Sequence, residues 1–391
     1  MSWRKSRLRV RRKLGWYISN QTRVEQLLGH IGKVNDDITV LVRALRQCTR
    51  QATADPVVLS LPQAVEDTRK TYIGLFGAFS ENWEHCGCKN HSMSLALLVK
   101  CPHFQSGIDD IAPCLPIETV IVKEKHGWHL DINKEGQVTA ERVSNSLCCD
   151  LFQGSHDPVN PKCVKLLSEE NSLGFQVTLS NCPGHPRSLW KSLSAIFENV
   201  EVPVDLKQYL QETRCCLELA YSLSLNLLRL YSTSWLTSER VWSTQEVVFF
   251  PNHDKNPFYS WRNATPYLFP SSKVHSGRAL SQVRGITHPH VFALGVLLLE
   301  LALGKGMEAN LSGDAFYHAV ISLAHSDEVE RRMGRQYAET VRRCLYFQFD
   351  NATGYDFTSL AVQQAFMKNI VGPLGQYAAS FQGDPPVIAA G

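Results

Sequence analysis

The sequence has no apolar run long enough to cross a membrane. Its most apolar stretch, Val291 to Leu303, is thirteen residues long and contains Glu300, whereas a span needs about 20. It has no dominant sign of charge either. A net charge of +3 over 391 residues gives no reason to expect nucleic acid as a partner. No secretory leader opens the chain: seven of the first fourteen residues are Lys or Arg, and no apolar core follows them. There is no G-x-G-x-x-G, so no glycine loop is offered to cradle phosphates. There is no G-x-S-x-G, so a nucleophile elbow of the hydrolase type is excluded. No internal repeat is visible.

Apolar residues make up 44% of the chain and charged residues 20%. That balance buries a real core, in one large domain or two ordinary ones. Twelve cysteines are scattered along the chain, with adjacent pairs at Cys148–Cys149 and Cys215–Cys216. Without a leader they are expected to be reduced and buried, in a protein of the cytoplasm or nucleus.

The pattern along the chain predicts an α+β fold in four parts. Residues 1–80 read as helical. Leu27, Leu28, Ile31, Val34, Ile38, Leu41 and Leu45 fall at helical spacing. The basic start, residues 3–14, is expected to be a solvated helix face, with a nuclear signal or an anionic-membrane contact as alternatives. Residues 81–186 hold short alternating runs separated by Gly, Pro, Asn and Asp, which predict one antiparallel sheet. Residues 187–375 are dominated by helices. "EVVFF" is a short strand within them, and four prolines mark a loop over 251–287. Residues 376–391 are expected to be a disordered tail.

"HCGCKNH" places His85, Cys86, Cys88 and His91 within seven residues. Thiolates and imidazoles suit zinc. The C-x-C-x-x-H spacing is tight, however, and no second Cys/His pair stands at a finger distance; Cys101 and His103 are the nearest. The segment is therefore read as a turn entering a strand, with zinc as the alternative. Lys100 and Lys123 each follow an apolar run, as a nucleotide-binding lysine would, but a lysine ending a strand is common. Trp235 and Trp242 flank a loop and are read as packing residues, with ligand stacking as the alternative.

The run "HVFALGVLLLELALGK" (290–305) resembles the central helix of the helical lobe of protein kinases. The likeness rests on Val291, Phe292, Leu294, Gly295, Glu300, Leu301, Gly304 and Lys305. The resemblance implies a bilobal kinase-like fold: a small sheet lobe, then a helix-rich lobe, preceded here by N-terminal helices. It also implies lost chemistry. In a kinase the first residue of that match is an Asp that holds the catalytic loop; here it is His290. "ERVWSTQE" (239–246) falls where kinases carry H-R-D-L-x-x-x-N. Glu239 stands for the His, Arg240 keeps the Arg, Val241 stands for the catalytic Asp, Ser243 for a Lys, and Glu246 for the magnesium-binding Asn. Beyond the next strand Asp254 is the sole acid, without a Phe-Gly context. "TPYLFPSS" (265–272) resembles the end of an activation segment, keeping Tyr267 and Pro270 but with Ser271 for its Glu. The late segment matches a kinase helix at Val341, Arg343, Cys344 and Leu345, yet offers no Arg to pair with that Glu.

The whole pattern also resembles a kinase-like domain of unknown function in fungal proteins, where it often follows a prion-inhibition-and-propagation type helical domain. The features are Asn35-Asp36-Asp37 on an N-terminal helix, "HCGCKNH", "AYSLSLNLLRLYSTSWL" (220–236), "PYL" (266–268) and "VFALGVLLLELALGK" (291–305). They span roughly residues 1–375. The preceding helical domain is not in this sequence, so the chain is expected to be a standalone version or a shortened one. The resemblance implies a non-enzymatic interaction or signalling module, in self/non-self recognition or cell death, with an unknown protein partner. It implies no cofactor, no metal, no nucleic acid and no transmembrane segment. An atypical active ATP-dependent kinase is the alternative. A scaffold recruited to membrane or nucleic acid by its basic start is the second alternative.

Overall fold

The computed structural model describes residues 57–84, 91–97, 117–123, 126–135, 163–168, 173–179, 185–186, 190–199, 202–236, 241–252, 260–269, 280, 283–307, 313–350 and 354–381. Contacts divide the chain into two units, Met1–Pro56 and Val57–Gly391. The first lies wholly outside the described residues, and so do the helices and the basic face predicted there. Everything below concerns the second.

That unit is a helix-rich α+β body built on one antiparallel sheet. Helix α1 (Val57–Glu84) precedes strands β1 (His91–Ala96), β2 (Ile117–Lys123), β3 (His126–Glu135), β4 (Cys163–Ser168) and β5 (Leu173–Leu179). The short strands β6 (His185–Pro186) and β7 (Lys191–Ser192) lead into helices α2 (Leu193–Phe197), α3 (Val204–Gln211) and α4 (Thr213–Leu230). Then come β8 (Val247–Asn252), β9 (Ser260–Leu268) and α5 (Pro289–Leu303). The end of the chain carries α6 (Gly313–Ala324), α7 (Asp327–Met333), α8 (Arg335–Tyr346), α9 (Leu360–Phe366), a π-helical turn (Met367–Val371) and α10 (Gly372–Ser380). No helix among the described residues is long and apolar enough to cross a membrane.

The strand order is β4-β5-β3-β2-β1-β9-β8-β7, with β6 beside β3. Two expectations are corrected by it. The sheet is not confined to residues 81–186, because the β8–β9 hairpin joins β1 through Leu95 opposite Leu268 and Ala96 opposite Tyr267. The predicted loop over 251–287 contains β9, nine residues long. Pro266 and Asn263 disguise that strand, since proline removes a ladder donor. Pro266 needs only its carbonyl here: it stands opposite Phe249 and accepts from the Leu97 amide at 2.9 Å. Two predicted boundaries also fall inside helices. α1 runs through residue 80 to Glu84, and α10 runs past 375 to Ser380, so residues 376–380 are helix and not tail.

The core is organised around α5. Every residue of it except Pro289 and Val296 is buried. Its start is specified locally: Pro289 occupies the first turn, where a missing N–H costs nothing, and His288 caps it by accepting from the Val291 amide at 3.3 Å. Its end is a left-handed Gly304, φ 64°, whose amide returns to the Glu300 carbonyl. α4 is buried along its whole second half, residues 219–230. The amphipathic α8 presents Tyr337, Ala338, Val341, Cys344 and Leu345 to the interior. Tyr337 donates to the Leu298 carbonyl of α5 at 2.8 Å.

α5 and α8 approach closely because position 295 has no side chain. A Cβ there would stand 2.8 Å from Leu345 Cδ2 and 3.1 Å from Cys344 Cβ. Gly295→Ala gains about 1 kcal/mol of helix propensity against an overpacking cost of about 1–3 kcal/mol, so a small net loss is expected. Gly295→Leu has no such offset and is expected to abolish cooperative unfolding. Thermal melts of both variants check this; an unchanged midpoint for Gly295→Leu would contradict the packing.

Candidate functional site

The segment between α4 and β8 holds the residues that the sequence resemblance aligns with a catalytic loop, and the structure describes residues 231–236 and 241–246 of it. Glu239 and Arg240 lie outside the described residues, as do Asp254, Ser271, Lys100, His85, Cys86 and Cys88. His91 opens β1 opposite Lys123 of β2, and nothing is described of either side chain. No group of three or more His, Cys, Asp or Glu side chains is placed to hold a metal among the described residues.

Val241 is 4% exposed. Its isopropyl group can neither take nor give a proton. Two residues on, the chain folds back on itself. The Glu246 carboxylate oxygen Oε2 accepts from the Ser243 amide at 2.9 Å and from the Ser243 hydroxyl. The loop backbone is tied to its surroundings as well: the Ser194 amide donates to the Thr244 carbonyl at 3.0 Å, and the Phe269 amide to the Glu246 carbonyl at 2.7 Å. Glu246 is 1% exposed, and its second oxygen, Oε1, is buried without a hydrogen-bond partner among the described residues.

Trp235 and Trp242 both belong to the main hydrophobic core. Trp235 meets the edge of Phe76 on α1, ring centroids 5.7 Å apart. From the same helix Arg69 donates to the Leu228 carbonyl at 3.0 Å, on the last turn of α4. α1 thus closes over the start of the loop from outside.

His290, which the sequence resemblance aligns with an anchoring Asp, is 6% exposed. It lies edge-on to Tyr231, 5.3 Å between centroids, where α4 ends. His288 stands beside it, with Nε2 3.3 Å from the Tyr231 hydroxyl. Phe357 packs on both Tyr231 and His288, and Phe347 stacks on His288. An aromatic cluster therefore fastens the end of α4 to the start of α5. Tyr231, His288, Phe347 and Phe357 were not singled out from the sequence. One signal was available: a histidine directly before Pro289 at the head of an apolar run marks a helix cap.

The His288 tautomer follows from these bonds. Nδ1 accepts from Val291, so the proton of the neutral ring is on Nε2 and points to Tyr231. Burial, and secondarily the neighbouring His290, pushes its pKa down from 6.5 to about 4, against a weaker opposing pull from Asp356. The unfolded chain then binds a proton that the native state refuses. Stability from this residue is complete above pH 6.5 and is lost as pH falls toward 4, by up to about 3 kcal/mol. His288→Asn keeps a cap acceptor and removes the titration. The variant's melting temperature should gain on the wild type steadily from pH 6.5 down to pH 4, as followed by circular dichroism. A constant difference across that range would refute the assignment.

Among solved structures, the chain is similar to the pseudokinase domain of BIR2, an immune regulator of the RLK/Pelle family. Identity is 13%, with 75% of this chain and 90% of that chain covered, at a TM-score of 0.27. No curated protein matches. The family model described as Domain of unknown function (DUF7580) matches residues 63–381, from α1 to the residue after α10. The chain belongs to that family.

Proposed function

We propose that this is a kinase-like scaffold without phosphotransfer chemistry, acting as an interaction or signalling module through protein contacts. The observation that carries the reading is Val241, buried in the loop between α4 and β8 where a kinase places its proton acceptor. Three further features support it. The element order runs from a sheet to a helical part centred on one buried helix. Glu246, at the magnesium-binding position, spends one oxygen on its own loop. An aromatic contact from His290 replaces the anchoring carboxylate. The setting proposed with it is the recognition or cell-death signalling of fungal type that the sequence resemblance implies.

One observation favours an atypical nucleotide-binding protein instead: the unsatisfied Oε1 of Glu246, a buried acceptor of the kind that recruits a cation. Calorimetric titration of the full chain with Mg·ATP separates the two. The scaffold reading expects no saturable heat up to millimolar nucleotide and no phosphate transfer to a generic protein substrate. Saturable micromolar binding that disappears in Glu246→Gln would replace it with the second reading.

A further inference from the structure

The exit of the central helix is built as a hinge with a carboxyl group beneath it. α5 ends in Gly304-Lys305-Gly306, all exposed. Gly304 takes the left-handed conformation, φ 64°. A Cβ at Gly304 would meet the Arg332 guanidinium from 3.1 Å, whereas one at Gly306 would meet only Glu300 Oε1, at 3.9 Å, so the turn is open on its Gly306 side. Two bonds reach across it. Arg332 of α7 donates to the Leu303 carbonyl, and the Met307 amide donates to Glu300 Oε1 at 2.7 Å. Glu300 is 6% exposed, and the amide of Met307 is the one donor to its carboxyl group among the described residues.

We propose that Glu300 is a proton-operated latch on this turn: the neutral carboxyl holds residues 304–307 closed, and the ionised carboxylate favours their opening. The physical reason is hydration. A carboxylate in the closed turn has one backbone donor in place of a water shell, and one bond does not make up that loss. A neutral carboxyl keeps the same bond at far smaller desolvation. Swinging the Gly-Lys-Gly segment outward admits water to the charged form. Burial pushes the group up from 4.5 to about 7, with the Met307 bond opposing more weakly, so the change of state falls in the neutral range.

The packed elements bring other ionisable groups to this end of α5. Lys305 stands in the turn itself, and Arg332 comes from α7. α4 brings Cys216, within electrostatic reach of Arg332, and α8 brings Tyr337, within reach of Cys216. Burial pushes the Cys216 thiol up to about 11 and the Tyr337 phenol well above its usual value, so both stay neutral at neutral pH. From α6, Tyr317 packs on Phe292, more than two turns away, and His318 is exposed. Glu300 is the buried carboxyl of this set, and burial brings its change of charge into the neutral range.

The sign is fixed by linkage. The closed turn holds its proton up to about pH 7 and the open turn only to about 4.5. Opening is therefore favoured about tenfold per pH unit between these limits and levels off above them. Amide hydrogen exchange of the full chain, corrected for intrinsic base catalysis, should show protection at Met307 falling about 40-fold from pH 5 to pH 7. In Glu300→Gln, which is isosteric and does not titrate, it should stay flat. A flat wild-type profile, or the same fall in the variant, overturns the latch. Should the variant fail to fold, carbon-13 titration of the Glu300 carboxyl in the wild-type protein decides: a midpoint near 7 supports the proposal, and one below 5.5 overturns it.

Discussion

The helical part of this protein depends on how closely α5 and α8 approach at Gly295. Removing one side chain from α5 lets Leu345 and Cys344 reach its backbone surface. Tyr337 can then donate to the Leu298 carbonyl from the facing helix. The rest of the helical core follows from that contact. α4 and α8 both pack on α5, so α5 has almost no exposed face left. Each large side chain buried there contributes about 1.5–3 kcal/mol. A helix buried all round needs no amphipathic stripe, and α5 has none.

The loop between α4 and β8 shows what happens to a site when its polar groups turn inward. Val241, Trp235 and Trp242 add apolar surface to the core. Glu246 closes on Ser243, and the backbone carbonyls of Thr244 and Glu246 are taken by neighbouring amides. These bonds tie the loop to itself and to its neighbours. At the other end Tyr231, His288 and His290 do with ring contacts what one carboxylate could do with hydrogen bonds. Rings carry no obligatory charge, so this junction tolerates a dry environment that would penalise an ion.

The sequence made the buried helices legible, because a thirteen-residue apolar run bounded by Pro289 and Gly304 has few other interpretations. It also marked Gly295 and Val241 as the positions to examine. It hid β9, where Pro266 and Asn263 break the alternating pattern that reveals strands; the strand survives because its proline is used only as an acceptor. It hid the aromatic cluster for a different reason. Tyr231, His288 and Phe357 are far apart in the chain, and no local rule connects them. Glu300 was visible as an acid in an apolar run, but its role depends on a backbone amide seven residues away, across a turn whose shape the pattern does not encode. The zinc candidates, Glu239, Arg240 and Ser271 lie outside the described residues or, for His91, are described in backbone alone.

The joining of the β8–β9 hairpin to β1 has a mechanical consequence. Proteins that close around a ligand do so by rotating two bodies about a few residues that are free to change conformation. Here the strands that precede α2 and those that follow α4 share one hydrogen-bonded ladder through Leu95, Ala96 and the Leu97 amide. Ser222 of α4 is bonded to the Leu97 carbonyl on the same strand. Relative rotation would have to shear that ladder, so sheet and helices share load as one stiff plate. A surface carried on such a plate has its shape set in advance, and binding there would lose little ordering entropy.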